Sequence, residues 1–210
     1  MIRFLGTSFA AKHLEDAAKK RGLPVTDDLH KADLVFVSHD TPTDETGKRD
    51  LLPIRRWLHV AVERSSAPIV LTSQVPPGFT RSLGIERIWY QAETLRIKDA
   101  KERAMNPEQI IVGGPSPIPP AYAHYLAAFN CPILRMSWES AEFAKIAINI
   151  FLAAQVDTTN RLAAAAKKVG ASWQDIAGVL MLDKRIGKYA YLAPGRWQDS
   201  LHLLRDAVTL

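Results

Sequence analysis

One stretch limits the folds open to this chain more than any other: residues 139–170, ESAEFAKIAINIFLAAQVDTTNRLAAAAKKVG. It holds no proline, and no glycine before Gly170. It is rich in Ala, Leu, Lys and Gln, which give up little on entering a helix. Ser137 is placed to cap its start, Glu139 and Glu142 suit the positive N-terminal end, and Lys167 and Lys168 suit the negative C-terminal end. Gly170 is a natural stop. At 1.5 Å per residue the helix would run roughly 45 Å. A small domain needs less, so the stretch predicts a helix that links two units or carries an interface between copies. Lys145 and Asn149, four positions apart, share one face. Read alone, the pair is most simply a solvated lysine on the outer face, because lysine is rarely buried.

The rest of the composition narrows the classes. The chain has 210 residues, of which 47% are hydrophobic, enough for one large domain or one and a half small ones. The net charge of +5 and pI near 9.4 suit an anionic small ligand such as a nucleotide. Lys and Arg are scattered, with no run longer than Lys19-Lys20-Arg21, so no nucleic-acid stripe is expected. The single cysteine, Cys131, excludes an internal disulfide framework and fits a reducing cytoplasm. The opening MIRFLGTSF is too short an apolar run for a signal peptide, and no stretch of about 18 apolar residues offers a membrane span. No metal site is expected.

Along the chain, IRFL (2–5) ends at Gly6 and a helical pattern follows over 8–21, the strand, tight turn and helix that open a dinucleotide-binding unit. If Gly6 is the first glycine of a phosphate fingerprint, Ser8 and Ala11 stand in the second and third places, and Ser8 would crowd a pyrophosphate. A second strand ending in an acidic ribose ligand should follow, but only LPVTDD (23–28) is present, with Asp27 or Asp28 available for that part. Apolar strands are expected at 32–38, 68–72, 87–90, 109–114 and 132–136, and helices at 50–64, 120–129, 173–180 and 199–208, with 183–195 irregular. Polar loops follow two of these strands, at 39–44 and 73–81, where ligands bind in open α/β sheets. The expected fold is α/β: a reduced Rossmann-like, doubly wound parallel sheet over residues 1–136, followed by a long-helix dimerisation domain over 137–210.

Several of these pieces, in this order, resemble the UDP-glucose/GDP-mannose 6-dehydrogenase family, whose members oxidise the 6-hydroxyl of a nucleotide sugar to a carboxylate in two NAD-dependent steps. The pieces are ADLVFV (32–37) with TPTD (41–44), SQVPPGFTR (73–81), AETLR (92–96) with NPEQIIVG (106–113), AEFAK (141–145) with NIFLA (149–153), and DKRIG (183–187). The resemblance implies NAD as cofactor, with Gly6, Ser8, Thr41, Pro42 and Gln74 on its side of the site. It implies that Glu93 helps to place the catalytic water or thiohemiacetal. Lys145 would stand beside the reacting oxygen, where its charge stabilises an oxyanion, with Asn149 as its hydrogen-bonding companion. Asp199 would match an aspartate of the catalytic run, and Arg185 an arginine that reaches the sugar of the neighbouring subunit. The long helix would be the family's dimerisation helix, giving a homodimer through 139–170.

Four departures from the family accompany these matches. The glycine fingerprint is eroded, the second strand and its acid are missing, and Gln74 replaces a threonine. In LAPGRWQDS (192–200), Gln198 replaces a lysine and the family's nucleophilic cysteine has no counterpart. Cys131, beside a core strand, reads as a small buried hydrophobe. The chain also ends at Leu210, ahead of the family's nucleotide-sugar domain. Two readings follow. In one, the chain is a truncated relative that binds a nucleotide sugar or related anion, or serves in assembly, without the full oxidation to the uronate. In the other, it is a minimal NAD-dependent oxidoreductase that performs the alcohol–aldehyde step alone.

Overall fold

A computed structural model describes residues 1–207. It opens with β1 (Ile2–Leu5), α1 (Phe9–Lys20), β2 (Leu34–Val37), α2 (Leu52–Arg64), β3 (Ile69–Leu71), α3 (Phe79–Ser82) and β4 (Ile88–Gln91). It continues with α4 (Ala100–Met105), β5 (Ile110–Gly113), α5 (Pro120–Ala127), β6 (Ile133–Met136), α6 (Trp138–Lys168), α7 (Trp173–Leu182) and α8 (Leu201–Ala207). Every strand expected from the apolar runs is present; β2 to β5 are buried along their whole length, whereas the edge strand β6 is half exposed. The short helices α3 and α4 were not visible in the sequence, where neither has room for a repeating apolar stripe. The expected last helix corresponds to α8, and its predicted end at Val208 lies outside the described residues.

The sheet order is β1-β2-β3-β4-β5-β6. The first four strands are parallel, β5 runs antiparallel to β4, and β6 is parallel to β5. The expectation of a mostly parallel Rossmann-like sheet holds, with a reversed pair at one edge.

The missing second strand is not wholly gone. Val25 forms an isolated parallel bridge with Ile2, with Ile2 N–H donating to the Pro24 carbonyl at 2.8 Å and Thr26 N–H donating to the Ile2 carbonyl at 2.9 Å. This single rung lies on the side of β1 away from β2, since β1 is the sheet's outer regular strand. The chain therefore leaves β1 along one face through α1, touches the outer edge at Val25, and returns along the other face through a 3₁₀ turn at Leu29–Lys31. Val25 packs with the α1 cluster, while Leu29 and Ala32 pack with the opposite one. Right-handed crossovers are the rule between parallel strands, and the detour lets two adjacent strands be connected over opposite faces.

The sheet is packed on both sides. Phe4, Phe36, Val70, Trp89 and Val112 face α1 and α5, where Tyr122 and Tyr125 close the layer. Leu5, Val35, Val37, Ile69 and Ile88 face α2 with its Ile54, Leu58 and Ala61. Alternation along each strand sorts the side chains between the two layers.

The chain forms two compact units: residues 1–44 with 49–145, and residues 45–48 with 146–210. The division falls inside α6. That helix starts as its sequence predicts, with Ser140 N–H donating to the Ser137 hydroxyl at 3.2 Å. It stops at Gly170, whose φ of +75° lets Ala171 N–H reach the Ala166 carbonyl at 2.9 Å. No helix among the described residues is long and apolar enough to cross a membrane.

Candidate functional site

In the first unit, the polar groups gather where the parallel strands end. Gly6 turns the chain from β1 into α1 with φ +104°, and a Cβ there would stand 2.0 Å from the Ser38 carbonyl oxygen. Only glycine meets both demands. Ser8 is buried and caps α1, accepting from Ala11 N–H at 2.9 Å while its hydroxyl meets that of Ser38 at 2.6 Å. Its own N–H donates to the Ser38 carbonyl at 3.4 Å. Thr7 Oγ1 lies 3.3 Å from His39 Nδ1, and His39 N–H donates to Ser73 Oγ at 2.9 Å. Thr41 is buried and donates to the Gln74 carbonyl at 2.8 Å, which fastens the loop after β2 to the loop after β3. Exposed Pro42 closes the first of these loops by accepting from Asp50 N–H at 2.8 Å. A cleft of about 330 Å³ opens beside the first turn, lined by Gly6, Thr7, Ser8, Phe9 and Lys12 among others.

The loop after β3 holds a group the sequence reading placed only as a favourable charge at the start of α6. Glu142 is fully buried, and its carboxylate accepts from Gly78 N–H at 2.6 Å and Thr80 N–H at 2.8 Å. It caps α3 from another element. Burial pushes its carboxyl above the ordinary glutamate value, against the opposing pull of the Thr80 and Gly78 donors. One turn earlier, Glu139 pairs with Arg81, whose guanidinium also lies 4.8 Å over the Trp138 ring. The hydrogen bond from Arg81 brings the Glu139 carboxyl down to about 2. No sequence signal would have paired these residues, which are about sixty positions apart.

Glu93 is half-buried and turns back onto the Leu95 amide. Just before it, Gln91 is buried and accepts from the Tyr122 hydroxyl at 3.0 Å. Lys145 is half-buried, and among the described residues no carboxylate or carbonyl takes its ammonium. Cys131 packs against the α1-side core, and burial raises its thiol above the usual value, so it stays protonated where a nucleophile would be a thiolate.

In the second unit, Asn149 is buried and donates from Nδ2 to Asp206 Oδ2 at 2.6 Å. Asp206 is fully buried, and Arg205 Nε lies 3.4 Å from its other oxygen. The carboxylate beside Asn149 is thus Asp206, a residue the sequence reading passed over. Asp199, the expected catalytic aspartate, is exposed in a 3₁₀ turn at Trp197–Asp199 and pairs with Arg196 at 3.4 Å. Arg185 is exposed and folds back on Asp183 through contacts of 3.0 and 2.6 Å.

A polar row on α6 holds the irregular segment that precedes α8. Gln155 accepts from Tyr191 N–H at 2.9 Å and Thr159 donates to the Tyr191 carbonyl at 2.7 Å. Asn160 takes both backbone groups of Gly195, and Asp157 accepts from the Trp197 indole at 2.7 Å. Helical spacing does not single out these residues, since most of their partners are irregular backbone.

The first turn does not fit a dinucleotide as it stands. Two of its N–H groups, Ser8 and Ala11, are already taken, by the Ser38 carbonyl and the Ser8 hydroxyl. The adenosine side has a single rung at Val25 for a wall. Asp27, the nearest acid for a ribose, is paired with Arg3 at 2.8 Å, and Asp28 caps the following turn by accepting from His30 N–H at 3.0 Å. Among the described residues there is no cluster of His, Cys, Asp and Glu able to hold a metal ion.

Residues 139–199 match the model of the UDP-glucose/GDP-mannose dehydrogenase family, central domain. An uncharacterized protein of Methanocaldococcus jannaschii is 32% identical over 180 residues, covering 76% of this chain and 20% of that protein. The UDP-glucose 6-dehydrogenase TuaD of Bacillus subtilis is 28% identical over 175 residues, covering 76% of this chain and 38% of the enzyme. The chain thus spans only a fifth to under half of the length of these relatives. Among solved structures, a UDP-glucose dehydrogenase from Pyrobaculum islandicum superposes with a TM-score of 0.72 at 21% identity, over 99% of this chain and 66% of that one. A UDP-D-ManNAc dehydrogenase from Pyrococcus horikoshii gives 0.77 at 16% identity, over 90% and 60%. At these identities the structural likeness speaks to the fold.

Proposed function

Because the chain is a divergent member of the UDP-glucose/GDP-mannose dehydrogenase family, we propose that it binds a nucleotide sugar or a related anion and serves in assembly, without the full NAD-dependent oxidation to the uronate. The observation that carries this reading is the state of its only thiol. Oxidation of an aldehyde to an acid through a thioester needs a thiolate. Cys131 is packed against the core with its thiol raised by burial, while the turn that ends in exposed Asp199 contains Trp197 and Gln198 and no cysteine. The crowded first turn and the one-rung second strand support the same reading, since both weaken the NAD side. What remains for an anion in the first unit is Lys145, with Thr41, Gln74 and Glu93 on its loops.

Assembly would be a homodimer through α6. In the second unit, Ile148, Phe151 and Leu162 on this helix are exposed, and none of the ten residues of α7 is buried although Val179, Met181 and Leu182 lie in it. Apolar helices left uncovered within a chain are suited to burial against a second copy.

Titration calorimetry of the full chain with UDP-glucose and with NAD, paired with NADH absorbance, tests the reading. UDP-glucose binding without NADH formation is the expected result, and uronate production with NADH would refute it. Light scattering that finds a monomer at micromolar concentration would refute the dimer.

A second reading keeps the alcohol–aldehyde step. It is favoured by half-buried Lys145, whose ammonium meets no carboxylate or carbonyl among the described residues and in a dry site would stabilise an alkoxide. Stoichiometric aldehyde formation with NAD, abolished by Lys145→Ala, would establish it.

A further inference from the structure

Glu142 is the most deeply buried acidic side chain of the first unit, and no part of the proposed chemistry uses it. Both of its carboxylate oxygens are spent on one loop, at Gly78 N–H and Thr80 N–H. That loop is stiffened by Pro76 and Pro77, turns at Gly78 with φ +87°, and begins at Gln74, whose carbonyl also holds Thr41. Glu142 stands three positions before Lys145 on α6, within one turn of helix. A single buried carboxylate therefore connects the loops at the ends of β2 and β3 to the helical turn that carries Lys145. The second contact between the same segments, Arg81 with Glu139, lies at the surface, where an ion pair holds little.

We propose that Glu142 is a positioning residue for Lys145: its carboxylate fixes the loop after β3 and the first turns of α6 in one register, and so sets where the lysine ammonium is presented. This rests on the reading that Lys145 faces an anionic ligand. Charge-assisted hydrogen bonds to two backbone donors are directional, which suits the carboxylate to hold a loop in place where apolar packing alone would allow it to slide. Glutamine at this position keeps one acceptor oxygen and turns an NH₂ group toward the other amide.

The test uses the full chain free of ligand. Amide exchange is followed at Gly78 and Thr80, and acylation of Lys145 by an amine-reactive reagent is followed by mass spectrometry, with Lys20 and Lys168 as internal references. Glu142→Gln should speed exchange at the two amides by about tenfold or more. It should also change the labelling rate of Lys145 relative to both references. Glu142→Asp keeps the charge on a shorter stem and should give a smaller change in the same direction, and it serves if the glutamine variant does not fold. Arg81→Ala, which removes the surface pair and the contact with the Trp138 ring but leaves the Glu142 bonds, should leave Lys145 labelling as in the parent chain. Unchanged Lys145 labelling in a folded Glu142 variant would overturn the proposal, as would an equal change in Arg81→Ala. UDP-glucose calorimetry on the parent chain separates the two claims. Absence of binding, with Lys145 labelling still following Glu142, refutes the functional reading and supports the positioning.

Discussion

Removing the Asn149–Asp206 contact puts the most specific demand on the second unit. The bond is 2.6 Å long, Asn149 is 8% exposed and Asp206 0%, so solvent screening takes little from it. A hydrogen bond to a charged group contributes about 1.5–3 kcal/mol, and breaking a buried charged contact from one side costs about 3–5 kcal/mol. Asn149→Ala removes the donor and leaves Asp206 with its remaining contacts, so a loss of about 2–3 kcal/mol is expected. Asp206→Ala also takes the 3.4 Å contact from Arg205, itself only 4% exposed, so the loss should reach about 3–5 kcal/mol. The double variant should lose less than the sum by about 1.5–3 kcal/mol, because the same bond is counted in both single changes. Urea denaturation of all four chains measures the cycle, with matched slopes as the check that the denatured states are alike. Additivity to within about 0.5 kcal/mol would refute the reasoning. It would mean that the Asn149 amide is not committed to Asp206 in solution and is open to a ligand, as the family resemblance implies.

Four further outcomes follow from the geometry. Gly6→Ala combines a φ of +104° with a Cβ 2.0 Å from the Ser38 oxygen, and should cost about 2–5 kcal/mol in chemical denaturation; a loss under about 1 kcal/mol would show that the turn relaxes. The Glu139 carboxyl, lowered from 4.5 to about 2 by Arg81, contributes stability that is complete above pH 4.5 and lost as the pH falls through about 2. Arg81→Ala should therefore lower stability at neutral pH by more than it does near pH 2, where the pair is already partly lost, whereas an equal loss at both would point to packing on Trp138. Glu142 acts with the opposite sign: its contribution is complete below 4.5 and fades as the pH rises through its raised folded value. Cys131 should react with a thiol reagent at neutral pH more slowly than a free small thiol, and at the ordinary rate once unfolded; rapid reaction of the folded chain would reveal a thiolate and reopen the covalent step.

Most of the architecture was legible because its causes are local. The Ser137 cap and the Gly170 stop of α6 involve neighbours within a few positions, and both stand where the residue types put them. The buried strands announced themselves as apolar runs at Leu34–Val37 and Ile110–Gly113. The candidate site was legible only as residues, through their likeness to a family. Thr41 and Gln74 do meet, but through a side chain and a carbonyl that no spacing rule would pair. The acid that reaches Asn149 is Asp206, which no spacing singled out, because the row of α6 side chains from Gln155 to Asn160 decides how the intervening segment lies. By itself, then, the sequence determined the longer helices and the strands, which follow from side-chain periodicity and backbone capping over a few residues, while the short α3 and α4 carried no such signal. Only the tertiary structure decided that a strand could shrink to one rung at Val25, that Glu142 would cap a helix begun more than sixty residues earlier, and that Asn149 would be held by Asp206. Those three depend on which buried polar groups find each other, and a buried carboxylate or amide must take whatever partner the fold brings within reach.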